Sequence, residues 1–244
     1  IGRTCPMEGH PYYRVDTTRY RFDNATIRHY CGYPAGVAVL ARDTWSARKG
    51  RDALTVEWDD SAAFKLGSDE ILARYRELAA QPGLVARSEG DTAGAFAGAA
   101  RVVSASYDFP YLAHAAMEPM NCVVQRTDDG LEVWNGEQFQ TVDQATLAAM
   151  FGLPPEKVKI HMLYAGGSFG RRACTQSDYL REAASIVKAS GTRAPVKLVW
   201  MREDDMKAGY YRPLFHHRIE AALEADGSIR AWRHRLVGQS IITG

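Results

Sequence analysis

The chain has 244 residues, of which 46% are hydrophobic and 24% are charged, as in a globular protein of one large or two small domains. A formal net charge of +1 argues against strong electrostatic attraction to nucleic acid or to an anionic membrane surface. We find no apolar run near the roughly 20 residues of a membrane-spanning helix, and no signal peptide at the start of the sequence.

The first sixty residues are predicted to form a small α/β domain. "GVAVLA" (36–41) is typical of a buried strand, and "LTVEW" (54–58) is typical of a second one. The segment between them predicts a short helix capped by Asp43 or Thr44. We therefore expect a compact β-α-β unit within residues 1–60.

Residues 61–100 are predicted to be a helical linker or insertion. Ser68 is a suitable N-cap for a helix over 68–80. The apolar face of this helix is expected to consist of Ile71, Leu72, Tyr75 and Leu78. The next segment, 81–99, is rich in glycine and alanine, which predicts a loop with one short helix.

Strand and helix patterns follow one another from residue 101 onwards. One face of the first strand is predicted to carry Val103, Ala105, Tyr107 and Phe109. The later patterns predict strands over 121–126 and 131–135, a helix over 141–152, a strand over 157–164, a helix over 177–191, a strand over 195–200 and a hairpin over 216–238. Because helices and strands are mixed and several strands are joined by hairpins, we predict an α+β (mixed α/β) fold.

The four cysteines are scattered along the chain as Cys5, Cys31, Cys122 and Cys174. No two of them have the C-x-x-C or ferredoxin-type spacing, which argues against an iron–sulfur cluster or a zinc ribbon built by this chain. We interpret all four as ordinary thiols, and a disulfide between Cys5 and Cys31 is a second interpretation.

The glycine loop, "AGGSFGRR" (165–172), follows a predicted strand and precedes a predicted helix. Small residues there allow a ligand to approach backbone N–H groups, and a helix N-terminus favours an anion. The spacing matches neither the phosphate loop G-x-x-x-x-G-K-[ST] nor the dinucleotide motif G-x-G-x-x-G. The glycine loop therefore has two interpretations: an anion-binding loop, or a tight turn with two solvated arginines.

Further polar candidates lie in "YLAHAAMEPM" (111–120) and "GEQFQT" (136–141). His114 and Glu118 are four residues apart but do not form the H-E-x-x-H zinc motif, so an ordinary loop with one salt bridge is the plain alternative. The Gln138 amide both donates and accepts hydrogen bonds, which suits an oxo group or a pterin edge. Glutamines are also common on protein surfaces, so Gln138 alone does not distinguish a site residue from an ordinary surface residue.

Four segments form a larger pattern when they are taken in order. They are "PAGVAVLARDTWSARKGRDALTVEWD" (34–59), "YLAHAAMEPMNCVVQ" (111–125), "AGGSFGRR" (165–172) and "VKLVWMREDDMKAGYYRPLFHHRIEAALEADGSIRAWRHRLVG" (196–238). Together they resemble the large subunit of molybdenum hydroxylases, the xanthine dehydrogenase/aldehyde oxidase superfamily. Within it, the sequence is most similar to the isoquinoline 1-oxidoreductase beta-subunit branch, which includes bacterial aldehyde dehydrogenases. Residues 1–33 do not fit the pattern of that family.

The resemblance implies a molybdenum–pterin cofactor, molybdopterin, including its cytosine dinucleotide form. The pterin holds the metal in that family, so no metal ligand is implied in this chain. The implied cofactor-binding residues are Gly166, Gly167, Ser168, Phe169, Gly170 and Arg171. Gln138 corresponds to a family glutamine that hydrogen-bonds the oxo group of the metal, which implies a catalytic role. His114 and Glu118 belong to the segment near the substrate channel.

The implied reaction is the oxidative hydroxylation of an N-heterocycle or an aldehyde with water. Iron–sulfur clusters are implied only on a partner subunit, and the rest of the large subunit is a second implied partner. The resemblance identifies residues 1–60 as a hammerhead-like remnant and residues 101–244 as the first part of the molybdopterin-binding domain. Relatives in this branch often carry a twin-arginine export signal, which implies a periplasmic location for the full-length protein. The sequence itself leaves localisation open.

The two ends of the sequence indicate a fragment. It starts at Ile1 rather than at a methionine, and its last residues still have a strand-like pattern. The family carries its catalytic base in a Gly-x-Gly-Glu segment much further along, and this sequence has none. We therefore expect the 244 residues to be inactive alone. The alternative hypothesis is a non-catalytic α+β binding domain that keeps the scaffold without the metal.

Overall fold

The computed structural model describes residues 13–15, 25–30, 36–58 and 63–240. The strands are β1 (Tyr13–Val15), β2 (Ala25–Tyr30), β3 (Gly36–Ala41), β4 (Val56–Trp58), β5 (Arg101–Phe109), β6 (Asn121–Arg126), β7 (Leu131–Asn135), β8 (Val158–Met162), β9 (Val196–Val199), β10 (Phe215–Leu223) and β11 (Ile229–Gly238). The helices are α1 (Thr44–Asp52), α2 (Ser68–Ala79), α3 (Thr92–Ala97), α4 (Gln140–Phe151), α5 (Asp178–Ser190) and α6 (Arg202–Lys207). This mixture of helices and sheets confirms the predicted fold class. None of the helices in the described ranges is long and apolar enough to cross a membrane.

The chain divides into two compact units. The larger unit comprises the described parts of 1–63 together with 114–210, and the smaller unit comprises 64–113 together with 211–240. Each unit therefore combines segments that are distant in the sequence. The three consecutive domains expected from the sequence stay a prediction.

The strand–helix–strand order predicted within the first sixty residues is present as β3, α1 and β4. Asp43 caps α1 as predicted, because its carboxylate accepts a hydrogen bond from the Ser46 N–H at 2.8 Å. The pairing differs from a single β-α-β unit, since β3 pairs with β2 whereas β4 pairs with β1. The order of elements along a chain does not specify which strands hydrogen-bond to each other.

A four-stranded sheet in the order β8-β7-β6-β9 organises the larger unit. β7 and β8 are parallel and are connected through α4, so these three elements form the β-α-β unit of this sheet. β6 runs antiparallel to both β7 and β9. The carboxyl ends of β7, β8 and β9 therefore meet the amino end of β6 at one end of the sheet.

The core of the larger unit lies between this sheet and the helices α4 and α5. Leu131 and Val133 of β7, Leu147 of α4 and Leu180 of α5 are completely buried in it. Burial of an aliphatic side chain of this size contributes about 2 kcal/mol to stability. Helices α4 and α5 end at Gly152 and Gly191, both in the left-handed conformation.

The cysteines within the described residues are free thiols. Cys122 of β6 is buried in the core, and Cys174 is partly buried. Burial raises the pKa of both thiols above the ordinary value, which keeps them protonated and unreactive. Cys5 and Cys31, with the disulfide interpretation of that pair, lie outside the described residues.

The smaller unit is an antiparallel sheet in the order β11-β10-β5, against which α2 and α3 pack. The predicted hairpin is confirmed as β10 and β11, and its turn contains Gly227 with a φ of 88°. The carboxylate of Asp226 accepts a hydrogen bond from the Ser228 N–H at 2.9 Å, which stabilises this turn.

Helix α2 differs from its prediction at the N-cap and on its apolar face. The N-cap is Gly67 rather than Ser68, and the Gly67 N–H donates to the Glu70 carboxylate at 2.7 Å. Buried side chains occur every four residues, at Ile71, Tyr75 and Ala79. Leu78 lies beside this narrow stripe and is 45% exposed, although the sequence pattern placed it on the buried face.

Candidate cofactor site

The topology of the sheet places two predicted site segments next to each other. Asn135 at the end of β7 pairs with Met162 at the end of β8. Just beyond, the Leu163 N–H donates to the Asn135 carbonyl at 2.8 Å. Because parallel strands end side by side, the residues after β7, including Gln138, lie next to the glycine loop after β8.

Gln138 and Ser168 are in direct contact. The Ser168 hydroxyl donates a hydrogen bond to Oε1 of Gln138 and accepts one from the Arg172 N–H at 3.0 Å. Because Oε1 is occupied, the Nε2 group of the exposed Gln138 side chain is the part of the amide that remains to donate. Both residues were predicted for the site, but their contact was not.

The backbone of the glycine loop is left-handed at Gly167, Phe169 and Gly170, where φ is 102°, 57° and 100°. This conformation is unfavourable for a phenylalanine, and such strain is concentrated at functional sites. Within the described part of the chain, no acceptor receives a hydrogen bond from the N–H groups of Gly167, Ser168, Phe169 or Gly170. Consecutive open N–H groups in a turn form a concave surface that binds anionic or acceptor-rich ligands.

Gly166 is held closely against Glu118. The Gly166 N–H donates to Oε2 of Glu118 at 2.5 Å, and the Glu118 N–H donates to the Gly166 carbonyl at 3.1 Å. A Cβ atom on residue 166 would lie 2.6 Å from the Cβ atom of Glu118. Position 166 therefore requires glycine because of this close approach, rather than because of its φ.

Glu118 connects the glycine loop to the segment before β6. Its carboxylate also accepts a hydrogen bond from Nδ2 of Asn121 at 2.6 Å, and its Oε1 lies 3.4 Å from Nη2 of Arg172. Burial raises the pKa of Glu118, but the hydrogen bonds from Asn121 and Gly166 and the charge of Arg172 outweigh burial and lower the pKa below its ordinary value. Glu118 is thus ionised at neutral pH. His114 lies half-buried in the segment that precedes it.

The guanidinium group of Arg171 faces the interior of the larger unit. It donates two hydrogen bonds to the Asp178 carboxylate, at 3.1 and 2.5 Å, and lies over the ring of Trp200 at 5.4 Å. The side chain is 4% exposed, so little of the guanidinium group is accessible to a ligand from solvent. The cofactor contact implied for Arg171 stays a prediction.

Sequence reasoning missed Arg172. This residue is 1% exposed, and its guanidinium donates to the carbonyls of Gly167 at 3.3 Å and of Gly136 at 3.2 Å. The sequence offers the interpretation of solvated charge for both adjacent arginines, and the resemblance implies a cofactor contact for Arg171 alone. The pattern cannot reveal which of two neighbouring guanidinium groups is buried, because that depends on the backbone of the loop.

A pair of buried carboxyl groups beside the loop segments was also missed. Oε1 of Glu137 accepts a hydrogen bond from Nδ2 of Asn135 at 2.7 Å. Burial raises the pKa of Asp143 to about 8, the neighbouring Ser177 hydroxyl opposes this shift, and Glu137 adds to it. Asp143 therefore keeps its proton to a higher pH than an ordinary first-turn carboxyl group, although it looks like one in the sequence.

We expect the variant Asp143→Asn to change how stability depends on pH. The folded-state pKa of Asp143 lies above the unfolded-state value of about 4, so the folded protein binds the extra proton between these values. Stability of the unmodified protein therefore falls as pH rises from about 4 to 8, by at most about 1.4 kcal/mol per pH unit from this group. Asp143→Asn should remove this slope, so that the variant gains relative stability in thermal unfolding at pH 8 compared with pH 5.

Asp69→Asn is the matched control, because Asp69 is an exposed carboxyl group on α2. This control should follow the unmodified protein over the whole pH range. Equal pH slopes for Asp143→Asn and the unmodified protein would contradict the assignment of a buried, protonated Asp143.

Among the described residues, no three His, Cys, Asp or Glu side chains form a cluster that could hold a metal ion. The site instead offers backbone N–H groups and one amide side chain. Fold and site together define an α+β domain that presents hydrogen-bond donors at the carboxyl ends of parallel strands. The chain belongs to the molybdopterin cofactor-binding domain family, whose profile matches residues 78–240.

Two curated relatives place the chain within this family. It is 35% identical to the isoquinoline 1-oxidoreductase subunit beta of Brevundimonas diminuta, over 97% of this chain and 31% of that protein. It is 30% identical to the aldehyde oxidoreductase molybdenum-binding subunit of Escherichia coli (strain K12), over 86% of this chain and 28% of that protein. The chain thus spans about a third of the length of these relatives. The match at 97% coverage includes most of residues 1–33, although these residues do not show the motifs of the family.

A solved structure shows the same fold. The aldehyde oxidoreductase from Desulfovibrio gigas superposes with a TM-score of 0.62 at 18% identity, covering 82% of this chain and 22% of that one. The resemblance to molybdenum hydroxylase large subunits that the sequence indicated is therefore confirmed. The relatives are subunits of larger enzymes, so the chain corresponds to one part of such a subunit.

Proposed function

We propose that the chain is part of the cofactor-binding large subunit of a molybdenum hydroxylase that hydroxylates an N-heterocycle or an aldehyde with water. The observation that carries this proposal is the set of open N–H groups over 167–170 beside the Nε2 group of Gln138. The names of the two curated relatives, an isoquinoline oxidoreductase and an aldehyde oxidoreductase, support these two substrate classes.

The residues at the site fit a pterin cofactor that carries phosphate and oxo groups. The N–H groups and the Gln138 amide donate hydrogen bonds, and such ligands present acceptors. Phe169 is 72% exposed at the same loop, so it offers an aromatic surface to a bound ring system.

A bound molybdenum–pterin would supply the redox chemistry of the reaction. The residues of this chain bind and orient it. The amides of Gly167, Ser168, Phe169 and Gly170 hold acceptor atoms, and the Ser168 hydroxyl fixes the direction in which the Gln138 amide donates. Glu118 stays ionised and anchors the loop, and we propose His114 and Glu118 as residues near the substrate channel.

Further parts of the proposed enzyme lie outside this chain. We propose an iron–sulfur subunit as electron-accepting partner, the rest of the large subunit as second partner, and the cytosine dinucleotide form as the variant of the cofactor. The proposed cofactor form rests on the family resemblance. The proposed partners rest on the same resemblance and on relatives whose names describe them as subunits.

Metal and cofactor analysis tests this function. We expect the full-length protein to contain stoichiometric molybdenum and a pterin, and to release cytidine monophosphate on acid hydrolysis. It should oxidise an aldehyde or an N-heterocycle with an artificial electron acceptor, whereas the isolated 244-residue chain should be inactive.

The outcomes test three separate statements: the enzyme function, the form of the cofactor and the need for a partner. A folded full-length protein without pterin and molybdenum would favour the non-catalytic alternative and overturn the proposal. Pterin without cytidine monophosphate would correct the cofactor form alone. Turnover by the isolated chain would contradict the need for a partner.

A further inference from the structure

Arg172 joins three segments of the candidate site. Its Nε atom donates to the carbonyl of Gly167 at 3.3 Å, and its Nη1 atom donates to the carbonyl of Gly136 at 3.2 Å. Its Nη2 atom lies 3.4 Å from Oε1 of Glu118. One side chain therefore connects the residues after β7, the glycine loop and the segment before β6.

The backbone of Arg172 extends the same network to Gln138. The Arg172 N–H donates to Oγ of Ser168 at 3.0 Å, and the Ser168 hydroxyl donates to Oε1 of Gln138. The direction of the Gln138 amide thus depends on the position of Ser168, whose hydroxyl is held by the Arg172 N–H and whose carbonyl is held by the Arg171 N–H. Residues that belong to separate stretches of sequence are in this way held as one unit.

Burial of the Arg172 charge opposes folding, because the guanidinium group loses its hydration. The side chain of Arg172 is 0% exposed, and withdrawing a charge from water costs free energy that only close pairing and hydrogen bonds repay. The ionised Glu118 compensates part of this cost. An apolar side chain often fills such a space at no loss of stability, but it cannot hold two backbone carbonyls in fixed positions. The neighbouring Arg171 is different, because its side chain hydrogen-bonds to Asp178.

We propose that Arg172 is the positioning residue of the cofactor site. By holding the Gly136 and Gly167 carbonyls, it fixes the open N–H groups over 167–170 and the Gln138 amide in the arrangement that receives the cofactor. Arg172 acts through the backbone and does not touch the cofactor. This inference rests on the proposed function for the identity of the ligand, while the ordering of the loop by Arg172 can be measured without any ligand.

The test uses the full-length protein with Arg172→Lys, Arg172→Met, Glu118→Gln, and Arg172→Met combined with Glu118→Gln. Hydrogen exchange at the hydrogen-bonded amides of Gly166, Arg171 and Arg172 is followed by mass spectrometry in the cofactor-free state. We expect Arg172→Met to accelerate this exchange about tenfold or more. We expect cofactor occupancy, measured as pterin and molybdenum, to fall about 10- to 100-fold, as for other residues that orient a binding group.

The double variant separates positioning from charge pairing. It removes the carboxylate that Arg172→Met leaves without its cationic partner, so its melting temperature should recover relative to Arg172→Met. Its loop amides should still exchange fast and its cofactor occupancy should stay low. Arg172→Lys should lie close to Arg172→Met in exchange, because an ammonium group cannot hold the two carbonyls in the planar fork geometry of a guanidinium group.

Arg51→Met is the matched control, because the ion pairs of Arg51 are with Asp52, Glu203 and Asp204. It should leave exchange in the glycine loop unchanged. Native exchange and full cofactor occupancy in the double variant would overturn the inference, since Arg172 would then serve only to neutralise Glu118. An unmodified protein that holds no pterin would overturn the proposed function instead, and the exchange measurements would still decide whether Arg172 orders the loop.

Discussion

Gly166→Ala is expected to destabilise the protein by about 1–3 kcal/mol and to reduce its cofactor content severely. The added methyl carbon would lie 2.6 Å from the Cβ atom and 3.4 Å from the backbone nitrogen of Glu118. Glu118 cannot withdraw freely, because it is bound to Asn121, to Arg172 and to the backbone of residue 166 itself. The glycine loop must therefore move, and the open N–H groups move with it.

Chemical denaturation and pterin content measure the two parts of this expectation. Gly83→Ala is the matched control, since a Cβ atom at Gly83 would meet no heavy atom within 4 Å and its φ is not in the left-handed region. The control should stay within about 0.5 kcal/mol of the unmodified protein and keep its cofactor. If Gly166→Ala behaved like this control, the close approach to Glu118 would not be needed by the site.

Leu180→Ala is expected to lower the free energy of unfolding by about 2–5 kcal/mol. Leu180 is 0% exposed, and it packs in the core formed by α5, α4 and the four-stranded sheet. Truncation removes buried methyl groups and leaves a cavity that the neighbouring strands cannot close without breaking their hydrogen bonds. Because α5 follows the glycine loop in the chain, the loop is expected to lose order together with the helix.

Urea denaturation measures this change as a lower midpoint at an unchanged slope. Leu84→Ala removes the same atoms from a side chain that is 104% exposed and should change stability by less than about 0.5 kcal/mol. A loss below about 1 kcal/mol for Leu180→Ala would show that this part of the core can repack, which would contradict the close packing described above.

Local signals in the sequence predicted most of the secondary structure. Alternation predicted β5, further strand patterns predicted β6 and β7, and Asp43, one of two candidates for the cap of α1, is its N-cap. These signals act over two to four residues, and the backbone responds to them directly. The predictions differed from the structure where the burial of a side chain depends on elements that are distant in the sequence. Leu78 has the right spacing for the apolar face of α2, yet it lies beside the stripe that the sheet covers.

The candidate site was predicted as a set of residues but not as a network. The spacing and composition of the glycine loop, together with three further segments, were enough to indicate the molybdopterin-binding family. They did not show that Ser168 bonds to Gln138 or that Glu118 bonds to Gly166. The partners in these contacts are 30 and 48 residues apart, so no local pattern reports them.

The sequence by itself determined the fold class, the order of the elements, the family and the need for a loop with little side-chain bulk. The tertiary structure decided which strands pair and which of two adjacent arginines is buried. The physical reason is the register of β7 and β8, which brings the two segments that follow these strands side by side. Arg172 finds its carbonyl partners there, whereas Arg171 finds Asp178 at the start of α5.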